Sequence, residues 1–330
     1  MKILNGFTST LSALAVSALV LSGAAKAQTN PVFPARTVTL VIPFTPGSGS
    51  DLIARIIAPR LSARWGQPVI VDNKAGASGN LGHNFVAKAA PDGHVLMLTA
   101  DSFTMAPAIY KSMPYDPAND FAPVVSLADA SYAFAVNPSV PAKDLKSLIA
   151  YLKANPGKVN YGTPGNGTPH HLSMELFKSK AGVDILHVPY KGISGALTDL
   201  MGGQVQLMYG TTNSLAPYVA SGKVRLLAIT GSARSHQVPD VATFHEQGMD
   251  AMDAGSAYYF VAAPARTSPE LVARLNGDIS AVINAGDVKA ELLKLGLSVR
   301  TGTPAQLGAA VKSDLVRWRK VVTDAGITAD

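Results

Sequence analysis

The sequence predicts an α/β fold of two lobes with mostly parallel sheets, and two observations support this prediction. Short apolar runs rich in β-branched residues alternate with longer amphipathic runs along most of the chain, a pattern typical of strands joined by helices. No Gly/Ser linker, tandem repeat or low-complexity segment divides the chain. We therefore expect two lobes that exchange strands rather than two domains joined by a single linker.

Individual elements follow from the same periodicity. The runs predicted as strands are Val38–Ile42, Val69–Val71, Val95–Thr99, Ala133–Val136, Ile185–Val188, Val205–Met208 and Val224–Ile229. The runs predicted as helices are Leu52–Arg64, Leu145–Ala154, Leu172–Ala181 and Ala196–Gly202. The tail from Pro269 to Ala325 has a helical pattern with breaks around Gly286 and between Gly296 and Pro304, so we expect a C-terminal helical cap on one lobe.

The N-terminal residues 1–27 have the pattern of a signal peptide. Lys2 precedes an apolar run from Leu11 to Leu21, and small residues lead up to Ala27, which fits cleavage after that alanine. The apolar run is shorter than the ~20 residues that a membrane-spanning helix needs. We therefore expect a soluble, exported mature protein.

Composition and charge exclude several kinds of function. The chain contains no cysteine, which removes thiol catalysis, disulfides and a lipid-anchored cysteine. The formal net charge is +6, of which Lys2 and Lys26 account for two, and the charged residues are scattered rather than clustered. This pattern gives no indication of a nucleic-acid partner, whereas a mildly basic protein favours anionic ligands.

A glycine- and hydroxyl-rich loop, Pro43–Asp51, lies between the first predicted strand and the first predicted helix. Ser50 or Asp51 can cap this helix, whose first N–H groups have no partners within it. Gly47 and Gly49 allow the backbone to approach a ligand closely, so the loop can direct N–H groups and hydroxyls at an anion. A capped turn without a ligand is an equally good interpretation of this loop alone.

A second loop of the same kind, Gly162–Pro169, precedes the predicted helix around Leu172. Thr168 suits the N-cap position of that helix, and Pro169 suits its first turn. Ligands of open parallel sheets bind beyond the carboxyl ends of the strands, and both loops follow predicted strands. Two such loops in different halves of the chain predict a ligand held between two lobes.

Motifs of the common enzyme and cofactor classes are missing. Neither loop matches the nucleotide-binding patterns G-x-x-x-x-G-K-[ST] or G-x-G-x-x-G, and no G-x-S-x-G motif of a serine hydrolase occurs. His170 and His171 are adjacent, whereas helical zinc pairs are four residues apart. We expect one of them near the pocket and the other in a structural role. An acid/base pair of carboxylates is left open, and no metal or cofactor is predicted.

Six segments occur in order between Val38 and Ile327. They are "PFTPGSGSDLIARIIAPRL", "GQPVIVDNKAGASGNLGHNFVAKAAPDGHVLML", "MPYDPANDFAPV", "YGTPGNGTPHHLSMELFK", "HVPYKGISGALTDLMGGQVQLM" and "LAITGSARSHQVPDVATFHEQG". Together they resemble the Bug (Bordetella uptake gene) or TctC family, the solute-binding receptors of tripartite tricarboxylate transporters. The resemblance covers nearly the whole mature chain.

The resemblance implies a two-lobed Venus-flytrap receptor of the type II periplasmic binding class. Residues 28–130 and 255–330 would form lobe 1, and residues 131–254 would form lobe 2. Such a receptor is periplasmic, holds a carboxylate of a small ligand between its lobes, and delivers that ligand to a two-subunit membrane permease or to a sensor. We expect a monomer that needs no cofactor.

The resemblance also implies a set of ligand-binding residues. In the first loop these are Phe44, Thr45, Pro46, Gly47, Ser48, Gly49 and Ser50, whereas Asp51 is better assigned to capping. In the second loop they are Thr163, Gly165, Asn166, Gly167, Thr168 and His171. Further candidates beside strand ends are Asp101, Ser102, Tyr190, Gly210 and Thr211. Lys191 could supply a cation, and one of Tyr258 and Tyr259 could lie near the lobe crossing.

Two departures from the family pattern bear on the ligand. Ser48 stands where the family usually has a glycine, which adds a hydroxyl group. The segment Tyr209–Asn213 lacks the acidic residue that many members carry, so we expect a non-amino mono- or dicarboxylate, aliphatic or aromatic. The alternative is an exported enzyme on the same scaffold that uses His171 with Asp101 as acid and base.

Overall fold

The computed structural model describes residues 33–231, 233–252 and 256–325. The fold and the candidate site lie in one compact unit, Arg36–Asp330. The predicted signal peptide, residues 1–27, lies outside the described residues. Within the described part of the chain, the helices lack either the length or the apolar character that crossing a bilayer requires.

The described strands form two sheets, each the centre of one lobe. The sheet of lobe 1 contains β1 (Val38–Ile42), β2 (Val69–Asn73), β3 (Val95–Ala100), β4 (Phe121–Ala130), β10 (Ala257–Pro264) and β11 (Ser298–Val299) in the order β11-β4-β10-β3-β1-β2. The sheet of lobe 2 contains β5 (Tyr132–Val136), β6 (Asn160–Thr163), β7 (Leu186–Pro189), β8 (Leu207–Thr211) and β9 (Arg225–Ile229) in the order β7-β6-β8-β5-β9.

Helices connect these strands and flank both sheets. They are α1 (Gly49–Trp65), α2 (Asn80–Ala87), α3 (Ser102–Met105), α4 (Leu145–Ala154), α5 (Pro169–Ala181), α6 (Ile193–Met201), α7 (Thr212–Ala220), α8 (Pro269–Ile283), α9 (Gly286–Lys294) and α10 (Pro304–Ala325). The predicted two-lobed α/β fold with C-terminal helices is confirmed. Strand β1 and helix α4 have the bounds that the sequence predicts.

The sheets are mixed, so the expectation of mostly parallel sheets is wrong. Strand β1 pairs in parallel with β2 and β3, but β10 pairs antiparallel with β3 and β4. In lobe 2, β6 pairs in parallel with β7 and β8, whereas β5 pairs antiparallel with β8 and β9. The reason is that β5 and β10 enter their sheets from the other lobe, without the helical crossover that keeps neighbouring strands parallel.

The chain crosses between the lobes in a short step. Strand β4 ends at Ala130 in lobe 1, and β5 begins at Tyr132 in lobe 2. The long strands β4 and β10 were not predicted from the sequence, and they form the middle of the lobe 1 sheet beside β3.

Hydroxyl side chains cap the two helices that follow the glycine-rich loops. Helix α1 begins at Gly49, and the Ser48 Oγ accepts a hydrogen bond of 3.4 Å from the backbone N–H of Asp51. The prediction that Ser50 or Asp51 caps α1 is therefore wrong, because the helix begins before either residue. Thr168 caps α5 as predicted, accepting a hydrogen bond from the His171 N–H.

The C-terminal helices pack mainly on lobe 1. Helix α8 lies against β4 and α1, and α10 lies against β4 and α3. Helix α10 also contacts lobe 2, because Trp318 and Val322 join a buried apolar cluster with Met105 of α3 and Leu172 of α5. The cap therefore touches both lobes, not one lobe alone.

Candidate functional site

A cleft of about 650 Å³ lies between the two lobes. Lobe 1 contributes the loop between β1 and α1, the segment before α2, and the end of β3. Lobe 2 contributes the starts of α5, α6 and α7. The cleft therefore lies at strand-to-helix loops of both sheets, where ligands of open α/β sheets bind.

Helix N-termini converge on this cleft from both lobes. The lining residues at helix starts are Ser48, Gly49 and Ser50 of α1, Asp101 and Ser102 of α3, Thr168, Pro169 and His170 of α5, Gly192 and Ile193 of α6, and Thr211 and Ser214 of α7. The first N–H groups of a helix have no intrahelical partners, and its N-terminus carries partial positive charge. Such convergence favours an anionic ligand.

Several buried polar atoms of the lining have no hydrogen-bond partner. Among the described residues, these include the Thr45 Oγ1, Ser50 Oγ, Ser102 Oγ and His170 Nδ1 atoms. A buried polar group without a partner costs about 1 to 3 kcal/mol, so groups of this kind are uncommon in native interiors. These four atoms are therefore available to hydrogen bond to a polar ligand or to water in the cleft.

Asp51 holds the first loop in place rather than facing the cleft. Its carboxylate accepts hydrogen bonds from the Gly47 N–H (2.9 Å) and the Asn73 amide (3.0 Å), and it forms an ion pair with Arg55 (3.0 Å). Burial acts to raise the pKa of Asp51, but the hydrogen bonds from Arg55, Gly47 and Asn73 together lower the pKa below its usual value. The ionised carboxylate thus fixes the loop that carries Ser48 and Gly49.

Gly49 lies against the side chain of Tyr259, which belongs to β10. A Cβ atom at this position would lie 2.1 Å from the Tyr259 hydroxyl. Tyr259 is buried and lines the cleft, whereas the hydroxyl of its neighbour Tyr258 donates a hydrogen bond of 2.8 Å to Asp314 of α10. Only a glycine allows this close approach of the helix start to β10.

The two adjacent histidines of α5 have different environments. His170 lines the cleft and packs edge-on against the Tyr132 ring, with centroids 5.8 Å apart. Burial lowers the pKa of His170 to about 4, so it is neutral at pH 7. His171 stacks on His187 at 4.3 Å, and its Nδ1 accepts a hydrogen bond from the Gly167 N–H. His171 therefore lies behind the loop and does not line the cleft, contrary to its predicted role.

The remaining predicted residues fall into two groups. Those that line the cleft are Phe44, Thr45, Ser48, Gly49, Ser50, Asp101, Ser102, Thr168 and Thr211. Those that lie outside its lining are Pro46, Gly47, Thr163, Gly165, Asn166, Gly167, His171, Tyr190 and Gly210. Tyr190 donates a hydrogen bond of 2.5 Å to Asp199, which turns its hydroxyl away from the cleft lining. Lys191, in contrast, lines the cleft and is exposed.

Sequence reasoning did not assign a role to several lining residues. Ser78 and Gly79 belong to the glycine-rich segment before α2, and Tyr132 begins β5. The glycines and the serine of residues 76–79 were a usable signal, because they repeat the composition of the other two loops. No local pattern marks Tyr132, since its position depends on the crossing between lobes.

Polar contacts also join the two lobes at the rim of the cleft. The Ser78 Oγ donates a hydrogen bond of 2.6 Å to the Asn166 carbonyl, and the Tyr110 hydroxyl donates one of 3.2 Å to the same oxygen. The Ser194 Oγ donates a weaker one of 3.3 Å to the Pro46 carbonyl. In the part of the chain that the structure describes, no three acidic or histidine side chains are grouped as a metal site.

The chain was compared with models of known protein families. The model of the tripartite tricarboxylate transporter family receptor, TctC, matches residues 53–327. The chain belongs to the TctC family. Members of this family are periplasmic solute-binding receptors, which agrees with the two-lobed fold and with the resemblance found in the sequence.

Solved structures of similar proteins support the assignment to the TctC family. The R. palustris protein Rpa4515 with adipate is 35% identical, with a TM-score of 0.86 over 90% of this chain and 99% of that one. The periplasmic binding protein BugD is 31% identical, with a TM-score of 0.86 over 90% and 100%. MatC from Rhodopseudomonas palustris with bound malate is 33% identical, with a TM-score of 0.83 over 88% and 100%.

Proposed function

We propose that this protein is a periplasmic receptor that captures a small non-amino mono- or dicarboxylate between its lobes. The observation that carries the proposal is the convergence of helix N-termini on a cleft with unpaired buried hydroxyls. We assign contacts with one ligand carboxylate to the Thr45, Ser50 and Ser102 hydroxyls and to the first N–H groups of α1. The captured ligand is passed to a membrane permease or to a sensor, and the receptor acts as a monomer.

The free energy expected from the hydrogen bonds is sufficient for micromolar binding of a ligand. Hydrogen bonds to a charged group contribute about 1.5 to 3 kcal/mol each, and micromolar affinity needs about 8 kcal/mol net. Several such bonds at one carboxylate therefore suffice, after the entropic cost of association. Neither a metal ion nor a cofactor is needed to hold the ligand.

Two features favour a ligand without an amino group. The lining residues from the end of β8 and the start of α7 are Thr211 and Ser214, and neither is acidic. The relatives with adipate and malate bind dicarboxylates that lack an amino group. Lys191 at the edge of the cleft is positioned to attract a second carboxylate.

The geometry gives less support to the alternative of an exported enzyme. That alternative paired His171 with Asp101 as acid and base. Asp101 lines the cleft, but His171 lies behind the second loop, and its Nδ1 is already bonded to the Gly167 N–H. Binding followed by release of the unchanged ligand is therefore the activity that we propose.

A thermal-shift screen of residues 28–330 tests the proposal. Candidate ligands are mono-, di- and tricarboxylates, aromatic diacids, glutamate and aspartate, added to protein shown by mass spectrometry to be free of co-purified ligand. A ligand of the native state raises the melting temperature with concentration. We expect a selective rise with one class of plain carboxylate and recovery of that compound unchanged. No rise with any carboxylate, or tighter binding of glutamate or aspartate than of every plain acid, contradicts the proposal.

A further inference from the structure

An acidic side chain lines the cleft to which we assign an anionic ligand. Asp101 immediately precedes α3, is only 6% exposed, and shares the cleft lining with the unpaired Ser50 and Ser102 hydroxyls. An ionised carboxylate here would repel a ligand carboxylate, and the repulsion would be strong because the site is screened from water. Asp101 is the one acidic residue among the described residues of this lining.

The hydrogen bonds of Asp101 leave room for one more partner. The Tyr132 hydroxyl donates to both carboxyl oxygens, at 3.0 and 2.9 Å. No ion pair joins Asp101 to a basic side chain among the described residues. The Ser102 backbone N–H also donates a hydrogen bond to this carboxyl group. One carboxyl oxygen has enough lone pairs to accept from both donors, so the other oxygen can carry a proton and donate it to a ligand.

The groups around Asp101 act on its pKa in both directions. Burial and the charge of Asp314 raise the pKa, whereas Arg317 and the hydrogen bonds from Tyr132 and the Ser102 N–H lower it, and burial outweighs them. From α10, Asp314 adds negative charge, while the opposing Arg317 forms an ion pair of 3.1 Å with Asp314 itself. The other titratable neighbours are Tyr132 on β5, Tyr258 and Tyr259 on β10, and His170 on α5 beyond Tyr132. These four are neutral at pH 7. Burial, more than any other cause, raises the pKa of Asp101 to about 7.

Asp101 also lines a second cavity, which provides a route for proton exchange. The lining of this cavity includes polar side chains of β4, β10 and α10, among them Asp129, Tyr258 and Arg317. Asp101 therefore lines two spaces, the ligand cleft and this second cavity. Water in the second cavity can exchange a proton with Asp101 while the lobes enclose a ligand.

We propose that Asp101 is protonated when a carboxylate is bound and donates a hydrogen bond from its carboxyl O–H to that carboxylate. Binding then takes up one proton from solvent onto Asp101, and the ligand stays ionised. Since this inference rests on the proposed function, it names one further residue that recognises the same ligand. The bound state holds the proton more tightly than the free state, so affinity is highest at low pH and falls as the pH rises.

Isothermal titration with adipate and with malate tests the inference. Titrations run from pH 6.5 to 9, and at pH 8 in two buffers with different ionisation enthalpies, HEPES and Tris. One linked proton predicts that the association constant falls by up to about tenfold per pH unit above pH 8. It also predicts that the apparent enthalpy differs between the buffers by the difference in their ionisation enthalpies.

Two variants make the test specific for Asp101. Asp101→Asn carries a neutral donor of similar shape, so we expect pH-independent affinity, no buffer dependence, and binding at pH 9 that is at least about tenfold tighter than wild type. Asp129→Asn is the matched control. Asp129 borders the second cavity and pairs with Arg300 at 3.1 Å, but it does not line the cleft. This control variant keeps the wild-type pH slope.

The possible results separate the two proposals. Binding of either acid with the same affinity from pH 6.5 to 9 overturns the role of Asp101 and leaves the receptor function intact. An affinity that rises with pH also overturns it, because an ionised Asp101 would then assist binding. If no carboxylate binds to the folded wild-type protein at any pH, the proposed function fails and this inference fails with it.

Discussion

The glycine-rich loops at residues 43–51 and 162–169 both lead into helices at the cleft, yet their hydroxyl groups differ in availability. In the first loop, the Thr45 Oγ1 and, at the helix start, the Ser50 Oγ are buried without partners. In the second loop, Thr168 donates to the Gly165 carbonyl at 2.7 Å, and Thr163 is hydrogen bonded to His187 at 2.7 Å.

This difference indicates distinct roles for two loops of similar composition. We expect the first loop to offer donors to a ligand, and Asp51 holds the shape of this loop by accepting a hydrogen bond from the Gly47 N–H. The second loop uses its side-chain hydroxyls to hold its own shape, and the Asn166 carbonyl accepts hydrogen bonds from lobe 1. We therefore propose that hydroxyl groups of lobe 1 hold one ligand carboxylate, while lobe 2 contributes helix N-termini, His170, Lys191 and the contact between lobes.

The largest expected effect comes from a methyl group in the first loop. In Gly49→Ala the new Cβ would lie 2.1 Å from the hydroxyl of the buried Tyr259, so the start of α1 must move. Overpacking of this kind costs about 1 to 3 kcal/mol, and the moved helix start loses its N–H contacts with the ligand. Because the strain and the lost N–H contacts both weaken binding, we expect affinity for the best carboxylate to fall by more than about 100-fold in titration calorimetry.

Gly47→Ala is the control for this substitution in the same loop. Gly47 has a φ of +83°, but a Cβ there meets no atom within 4 Å. This change therefore strains the backbone without moving α1 against Tyr259. Equal losses of affinity in the two variants would contradict the role given to the close approach.

The next effect compares one hydroxyl from each loop. Ser50→Ala removes a hydroxyl that has no partner within the protein. The free energy of ligand binding should therefore weaken by about 1.5 to 3 kcal/mol, while the melting temperature of the ligand-free protein is unchanged. Thr168→Val removes an N-cap and the bond to Gly165. We expect it to lower the free energy of unfolding by about 1 kcal/mol. Calorimetry and thermal denaturation of both variants measure the contrast.

The opposite pattern of effects would contradict the roles that we assign to the two loops. If Thr168→Val weakens binding more than Ser50→Ala and leaves stability unchanged, then the second loop is the main source of side-chain donors. Ser102→Ala provides a further check, because its Oγ is also buried without a partner in lobe 1. It should behave like Ser50→Ala.

The smallest effect concerns the contact between the lobes. Ser78→Ala removes the hydrogen bond of 2.6 Å to the Asn166 carbonyl, and Tyr110 keeps a bond to the same oxygen. A typical hydrogen bond contributes about 0.5 to 1.5 kcal/mol, so affinity should fall a few-fold, mainly through faster dissociation in stopped-flow measurements. A faster dissociation rate in Ser194→Ala than in Ser78→Ala would place the main contact elsewhere on the rim.

Parts of this fold and site could be predicted from the sequence because they depend on local patterns. The strand Val38–Ile42 and the helix Leu145–Ala154 have clear periodicity. The composition of the glycine-rich loops indicates where the following helices begin. The strands Phe121–Ala130 and Ala257–Pro264 were missed. The first carries Pro, Ser and Asp within its apolar pattern, and the second was not recognised among the helical segments that follow it.

Other features depend on tertiary packing and could not be predicted. Which of His170 and His171 lines the cleft is decided by the rotation of α5 against Tyr132 and His187. Composition cannot show whether a serine or threonine hydroxyl already has a partner. The composition of the two loops was enough to predict an anion site between the lobes. It was not enough to predict which loop has hydroxyl groups without partners.

A crystal structure of residues 28–330 with the carboxylate that gives the largest thermal shift would show which groups hold the ligand. We expect one ligand carboxylate within hydrogen-bond distance of the Ser50 and Ser102 hydroxyls and of the first N–H groups of α1. We also expect the Thr163 and Thr168 hydroxyls to keep their present partners. A ligand bound outside this cleft, or held mainly by the hydroxyls of the second loop, would show that lobe 1 is not the main source of side-chain donors.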